Sequence, residues 1–153
     1  MKDDVAYNAV VRGYNDWLAE EYCPTALDRL IGLGVLPYSS LDATMDELEN
    51  CAKLGFKGVI LNGFPNGHGY PLPEDAHFWA AVLAMDMPVA VHVDLDRTGE
   101  RAGPFFKYPV NDEDAFRYTD LVAQVARFGR AAGANAIQLI VSGLFDRFPN
   151  LRI

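Results

Sequence analysis

Three short apolar runs, each separated from the next by one stretch of helical periodicity, constrain this chain more than any other feature. The runs are Leu30 to Leu36, closed by Pro37; Phe56 to Leu61, centred on Val59, Ile60 and Leu61; and Pro88 to Val93. Short continuous apolar runs suit strands buried on both faces. One helix in each interval is the mark of βα units that build a parallel sheet. In the first interval Thr44 and Glu47 have capping-box spacing, Met45, Leu48, Cys51 and Ala52 form an apolar face, and Gly55 stops the helix. The second interval predicts a helix from about Glu74 to Met85. Ahead of the first run, Val5 to Glu20 carries Ala6, Ala9, Val10, Tyr14, Trp17 and Leu18 at helical spacing, with Asp3 and Asp4 where a helix N-terminus favours acids.

Beyond His92 the rhythm loosens. Asp94 to Val110 reads as a long loop containing Phe105, Phe106 and Tyr108. A long helix is predicted from Asn111, whose side chain can cap it, with acids at positions 112 to 114 in its first turn. Ala134 to Gly143 fits two templates. Ile137, Leu139, Ile140 and Val141 suit a strand, whereas Ile140, Leu144 and Phe148 have helical spacing. Leu151-Arg152-Ile153 reads as the first residues of a further strand.

Composition narrows the function classes. The 153 residues are one domain in length, 50% hydrophobic and 22% charged, which is globular composition. A net charge of −8 argues against a nucleic-acid partner, which needs a basic face, and the basic residues between Arg97 and Arg152 are interleaved with acids. No apolar stretch reaches the roughly 18 residues of a membrane span, so no membrane partner is expected. Cys23 and Cys51 have no CxxC companion and are expected as reduced thiols in a reducing compartment, the cytoplasm by default.

Among the residues able to do chemistry, His92 stands out at the end of an apolar strand, where ligand sites of parallel α/β sheets gather. An imidazole there can bind a divalent metal through one nitrogen while a neighbour such as Asp94 or Asp96 orients the other. A hydrogen-bonded structural histidine is the commoner outcome for one such residue. His68, in the Asn66-Gly67-His68-Gly69 loop, is either a substrate contact or an exposed turn residue, and the exposed turn is the better fit. His77, beside Phe78 and Trp79, suits a helix surface. No phosphate loop and no GxSxG nucleophile elbow occurs. Phe105, Phe106 and Tyr108 can roof a pocket, and packing under the long loop explains them equally well.

Several segments in order then resemble one family. They are Asn15-Asp16-Trp17-Leu18-Ala19, Asp28-Arg29-Leu30-Ile31-Gly32, Leu36-Pro37, Glu47-Leu48-Glu49, Leu54-Gly55-Phe56-Lys57-Gly58-Val59, Pro88-Val89-Ala90-Val91-His92, and Ser142-Gly143-Leu144-Phe145-Asp146-Arg147-Phe148-Pro149-Asn150-Leu151. This order resembles the amidohydrolase-2 family, the metal-dependent hydrolases and decarboxylases related to aminocarboxymuconate-semialdehyde decarboxylase. The resemblance implies a TIM-type (β/α) barrel and a divalent metal, zinc first and manganese second, at the carboxyl ends of its strands. His92 matches the family's middle-strand metal ligand. His68, Phe64 and Phe105 would then contact substrate, and Ala134 to Asp146 should be helix leading into a strand at Leu151.

The departures from the family pattern shape the remaining expectations. No His-x-His pair occurs, and no residue present matches the family's catalytic base or its late metal-binding Asp. Residues 1–153 are therefore expected to be one partial α/β barrel domain with about half of the eight strands, part of a longer hydrolase or decarboxylase and inactive alone. A half-barrel is expected to leave two unpaired sheet edges and an uncovered apolar face. Homo-oligomerisation of the parent stays open. The rival from another class is a non-catalytic βα interaction module that completes a barrel with a second chain, with His92 merely structural. A sugar-isomerase-like metal barrel is a further alternative that the ordered motifs disfavour.

Overall fold

The computed structural model describes residues 3–67, 71–92, 133 and 135–153. It contains α1 (Asp4–Trp17), β1 (Gly34–Leu36), α2 (Leu41–Lys53), β2 (Val59–Leu61), α3 (Ala76–Ala84), β3 (Val89–Val91), helical residues 135–141 (α4) and α5 (Leu144–Arg147). A π-helical turn, Leu18–Tyr22, and a 3-10 turn, Cys23–Ala26, follow α1. The three strands form one parallel sheet in the order β1-β2-β3. Gly34 pairs with Val59 and Val59 with Val89, and Leu36, Leu61 and Val91 form the matching level two residues on. The predicted alternation of strands and helices is present. The long helix expected from Asn111 and the loop containing Phe105, Phe106 and Tyr108 lie outside the described residues.

Packing fixes which face of the sheet meets the helices. A Cβ at Gly34 would stand 2.3 Å from Cys51 Sγ, and one at Gly32 would stand 2.7 Å from the Phe56 ring. Both glycines let α2 and the turn after it lie directly against β1. Because strand side chains alternate, the residues level with Gly34 belong to the same face. Val59, Leu61 and Val89 are accordingly buried beneath Leu48, Cys51, Phe78, Trp79 and Val82. The alternate set, Val35, Ile60 and Ala90, faces away from the helices and is half-buried or exposed.

Several expectations are corrected. The Leu30 to Leu36 run is strand only at its end, and Ile31 is exposed, so the run is not buried on both faces. Ser40, not Thr44, caps α2, its hydroxyl accepting from the Ala43 N–H at 3.2 Å. Thr44 and Glu47 lie inside the helix, where both are buried because other groups need them. Of the apolar stripe read along α1, only Leu18 is buried; the inward face is Val11, Asn15 and Leu18. The helix expected from Ala134 to Asp146 is interrupted at Gly143, which adopts φ 68° between α4 and α5. Gly55 ends α2 as read, at φ 80°, with the Gly55 N–H on the Ala52 carbonyl and the Phe56 N–H on that of Cys51.

Each sheet edge is covered at one residue. In a parallel strand the N–H and C=O of one residue point the same way, and those of Gly34 face β2. Those of Val35 therefore face outward, where a bare strand invites unwanted pairing. The Asn15 side chain fills this position. Its Oδ1 accepts from Val35 N–H at 2.9 Å and its Nδ2 donates to Val35 O at 2.8 Å. At the other edge the Val89 N–H donates to Arg152 O at 2.9 Å. This repeats the bonds from Gly34 N–H to Gly58 O and from Val59 N–H to Pro88 O. Ile153 thus stands where a fourth strand's first residue belongs, as expected. Arg152 also pairs with Asp86 in the turn before β3.

Candidate functional site at the carboxyl rim

The strands share one register, so their carboxyl ends form one rim. Pro37, Asn62 and His92 each follow the level of Leu36, Leu61 and Val91. The His92 N–H donates to Leu61 O at 2.7 Å, carrying the ladder one residue past β3. Strand alternation assigns Asn62 and His92 to the helix-free face, with Ile60 and Ala90. His92 is exposed, and Asn62 is only 6% exposed. Neighbouring strands lie about 4.8 Å apart, so the two side chains start side by side.

The loops around this rim are tied down by buried polar groups. Thr44 lies below the rim, its hydroxyl 2.7 Å from Pro37 O, 2.9 Å from Ser40 O and 3.3 Å from Pro65 O. One side chain thereby joins the loop after β1 to the loop after β2. Thr44→Val keeps the shape and removes the one hydroxyl proton these carbonyls share, at a cost of roughly 1–3 kcal/mol. Urea unfolding should show that loss, and Thr44→Ser should recover most of it. The Tyr38 ring lies against Gly63, whose Cβ would approach it to 3.0 Å, and meets Tyr7 edge-on at 5.7 Å.

Asp75 closes the second loop. Its carboxylate accepts from the Leu72 N–H at 2.8 Å and from Asn66 Nδ2, while Oδ1 is buried without a partner among the described residues. Burial pushes its pKa above the usual carboxylate range, against the pull of the hydrogen bonds from Leu72 and Asn66. A raised folded pKa means that the folded chain holds the proton to higher pH. The stabilisation is complete below the ordinary value of 3.8 and is lost as pH rises through the raised one. Unfolding free energies followed from pH 3 upward should therefore fall in the wild type relative to Asp75→Asn, which cannot titrate.

Behind the sheet, Glu47 accepts from Arg12, from Asn15 Nδ2 at 2.8 Å and from Asn50 Nδ2 at 3.2 Å. The hydrogen bond to Glu47 holds the Arg12 pKa above its usual value. Cys51, buried below Gly34, has its pKa pushed up to about 12 chiefly by burial and stays a thiol. Cys23 is also a free, buried cysteine.

The residues singled out from the sequence divide as follows. His92 takes the expected rim position. Phe64, just after β2, is 4% exposed and packs into the core cluster. His77 is exposed on α3, as expected. His68 and Phe105 lie outside the described residues. Asn62 and Asp75 were not singled out, and Thr44 was read only as a helix cap; the one available signal was a polar residue closing an apolar strand, at Asn62. Among the described residues no group of three or more His, Cys, Asp or Glu can hold a metal ion. A zinc site needs three or four ligands, and His92 supplies one, so the described residues do not by themselves fit a metal. Among them, no helix is long and apolar enough to cross a membrane.

A family model described as Amidohydrolase matches residues 1–153, so the chain belongs to the amidohydrolase-2 family. Its sequence is 34% identical over 157 residues to the gamma-resorcylate decarboxylase of Rhodococcus jostii (strain RHA1), covering 94% of this chain and 43% of that protein. Its fold is similar to 2,6-dihydroxybenzoate decarboxylase complexed with 2,6-dihydroxybenzoate, at TM-score 0.71 and 30% identity over 99% of this chain and 45% of the other. A 5-carboxyvanillate decarboxylase from Novosphingobium aromaticivorans with bound manganese gives TM-score 0.66 and 25% identity, covering 99% of this chain and 40% of that one. The chain thus spans less than half the length of the relatives it matches.

Proposed function

We propose that the protein carrying this chain is a metal-dependent decarboxylase of a small aromatic carboxylic acid, built on a (β/α) barrel to which these residues contribute about half of the strands. The observation that carries this reading is the position of His92. It follows the last residue of a parallel strand, on the helix-free face, in a family whose similar members are named as decarboxylases. The carboxyl ends of barrel strands are where such enzymes place their chemistry. His92 is assigned as one ligand of a divalent metal. Zinc is the first choice, and the manganese of the carboxyvanillate-directed neighbour keeps that ion second. His68, Phe64 and Phe105 are assigned to the substrate pocket, with Phe64 supporting its floor from the core. A small-molecule enzyme of the cytoplasm is the setting this implies.

The net reaction breaks the ring-to-carboxylate bond, releases carbon dioxide and places a proton on the ring carbon. The test is to express the protein at the length its gene encodes, load it with zinc or manganese, and follow carbon dioxide release from 2,6-dihydroxybenzoate. Metal-dependent release that a chelator abolishes is expected, with none from the 153 residues alone. Absence of turnover on this acid and on 5-carboxyvanillate, or turnover indifferent to chelation, would contradict the reading.

A further inference from the structure

We propose that Thr44 is a positioning residue for the reaction at the rim: its hydroxyl joins the loops after β1 and β2 into one body, which fixes the end of β2 that holds the His92 backbone. This rests on the function proposed above and adds to its machinery a residue of the helix layer. Thr44 has no solvent access, and three carbonyls converge on its hydroxyl. Those of Pro37 and Ser40 belong to the loop after β1, and that of Pro65 to the loop after β2. The same two loops meet twice more. The Tyr38 ring lies 3.0 Å from where a Cβ at Gly63 would stand, and a Cβ at Gly67 would come within 3.1 Å of Tyr38 O. Glycine at both positions lets the loops close on each other.

The route from Thr44 to the rim is short. Pro65 stands four residues beyond Leu61, the last residue of β2. Leu61 O in turn accepts the His92 N–H at 2.7 Å. Phe64, 4% exposed, plugs the same loop into the core from one side. Thr44 holds it from the other, by way of Pro65. Thr44 belongs to α2, on the face of the sheet opposite the one assigned to His92, so its effect reaches the site through the backbone. A displacement of about 1 Å caused by a residue far from the chemistry can lower a rate about 100-fold. The hydroxyl is therefore expected to matter to turnover beyond its worth to stability.

The experiment compares wild type, Thr44→Val and Thr44→Ser as gene-length, metal-loaded proteins acting on 2,6-dihydroxybenzoate, well below the lowest melting temperature. In Thr44→Val, kcat per bound metal should fall about 10–100-fold while KM stays within about threefold. Thr44→Ser keeps the hydroxyl and should return kcat to within about threefold of wild type. The His92 amide should exchange with deuterium about tenfold faster in Thr44→Val, and the Val59 amide, at the other end of β2, within about twofold of wild type. Unchanged kcat per bound metal, an equal loss in Thr44→Ser, or equal loosening of Val59 and His92 would each overturn this proposal alone. If Thr44→Val does not fold, Gly63→Ala carries the same test, because it pushes the Tyr38 ring away and leaves Thr44 in place. A wild-type protein without turnover would overturn the proposed function, and the exchange of the His92 amide would still decide whether Thr44 holds that backbone.

Discussion

A His92→Ala variant of the gene-length protein is expected to lose bound metal and decarboxylation together, while melting within a few degrees of wild type. The side chain is exposed at the rim, and the ladder bond next to it comes from its backbone N–H, which alanine keeps. Removing a partner that merely orients a metal ligand costs about 10–100-fold in affinity. Losing the ligand itself should cost at least the upper end of that range. Metal analysis after dialysis and carbon dioxide release read the two effects separately. Retained metal with lost turnover would make His92 a substrate contact instead of a ligand. Full retention of both would return it to the structural role that a lone strand-end histidine most often has.

The largest stability effect is expected at Asn15. Asn15→Leu removes the amide that closes the outer edge of β1 and contacts Glu47, at a position with no solvent access. The Val35 N–H and C=O lose their partner, and Glu47 keeps Arg12 and Asn50 but loses a third donor. At ~1–3 kcal/mol for each buried polar group left unpaired, the total comes to about 3–5 kcal/mol. That is a large share of the ~5–15 kcal/mol by which domains are stable. Urea unfolding should show it. A second readout separates edge loss from general loosening: the Val35 amide should exchange with deuterium far faster while the paired amide of Val59 changes less. A loss below about 1 kcal/mol, one ordinary net hydrogen bond, would mean that water replaces the Asn15 amide at the edge.

The sheet was legible because Val59-Ile60-Leu61 and Val89-Ala90-Val91 are short apolar runs with one helix between them, the mark of βα units and a parallel sheet. Gly55 was legible because a left-handed residue is required where α2 stops. The α1 face was misread for a definite reason. Its most deeply buried residue is Asn15, which periodicity counts as polar, while Val10, Tyr14 and Trp17 are exposed. Likewise Thr44 and Glu47 have the spacing of a capping box, but the carbonyl of Pro37 and the guanidinium of Arg12 hold them one turn deeper. Pairings of this kind join residues 7 and 35 positions apart and leave no local signal. At the rim, His92 was legible from its strand. Asn62 was not, because its level with His92 follows from the register of two strands. The partial covers at Val35 and Val89 were not legible for the same reason, since they come from residues 20 and 63 positions away.

The most direct test of the central claim is anomalous scattering from zinc in crystals of the gene-length protein. The account predicts a single strong peak at the carboxyl ends of the strands, about 2.1 Å from an imidazole nitrogen of His92. A fully occupied peak coordinated by other residues, with the His92 ring out of reach, would contradict it.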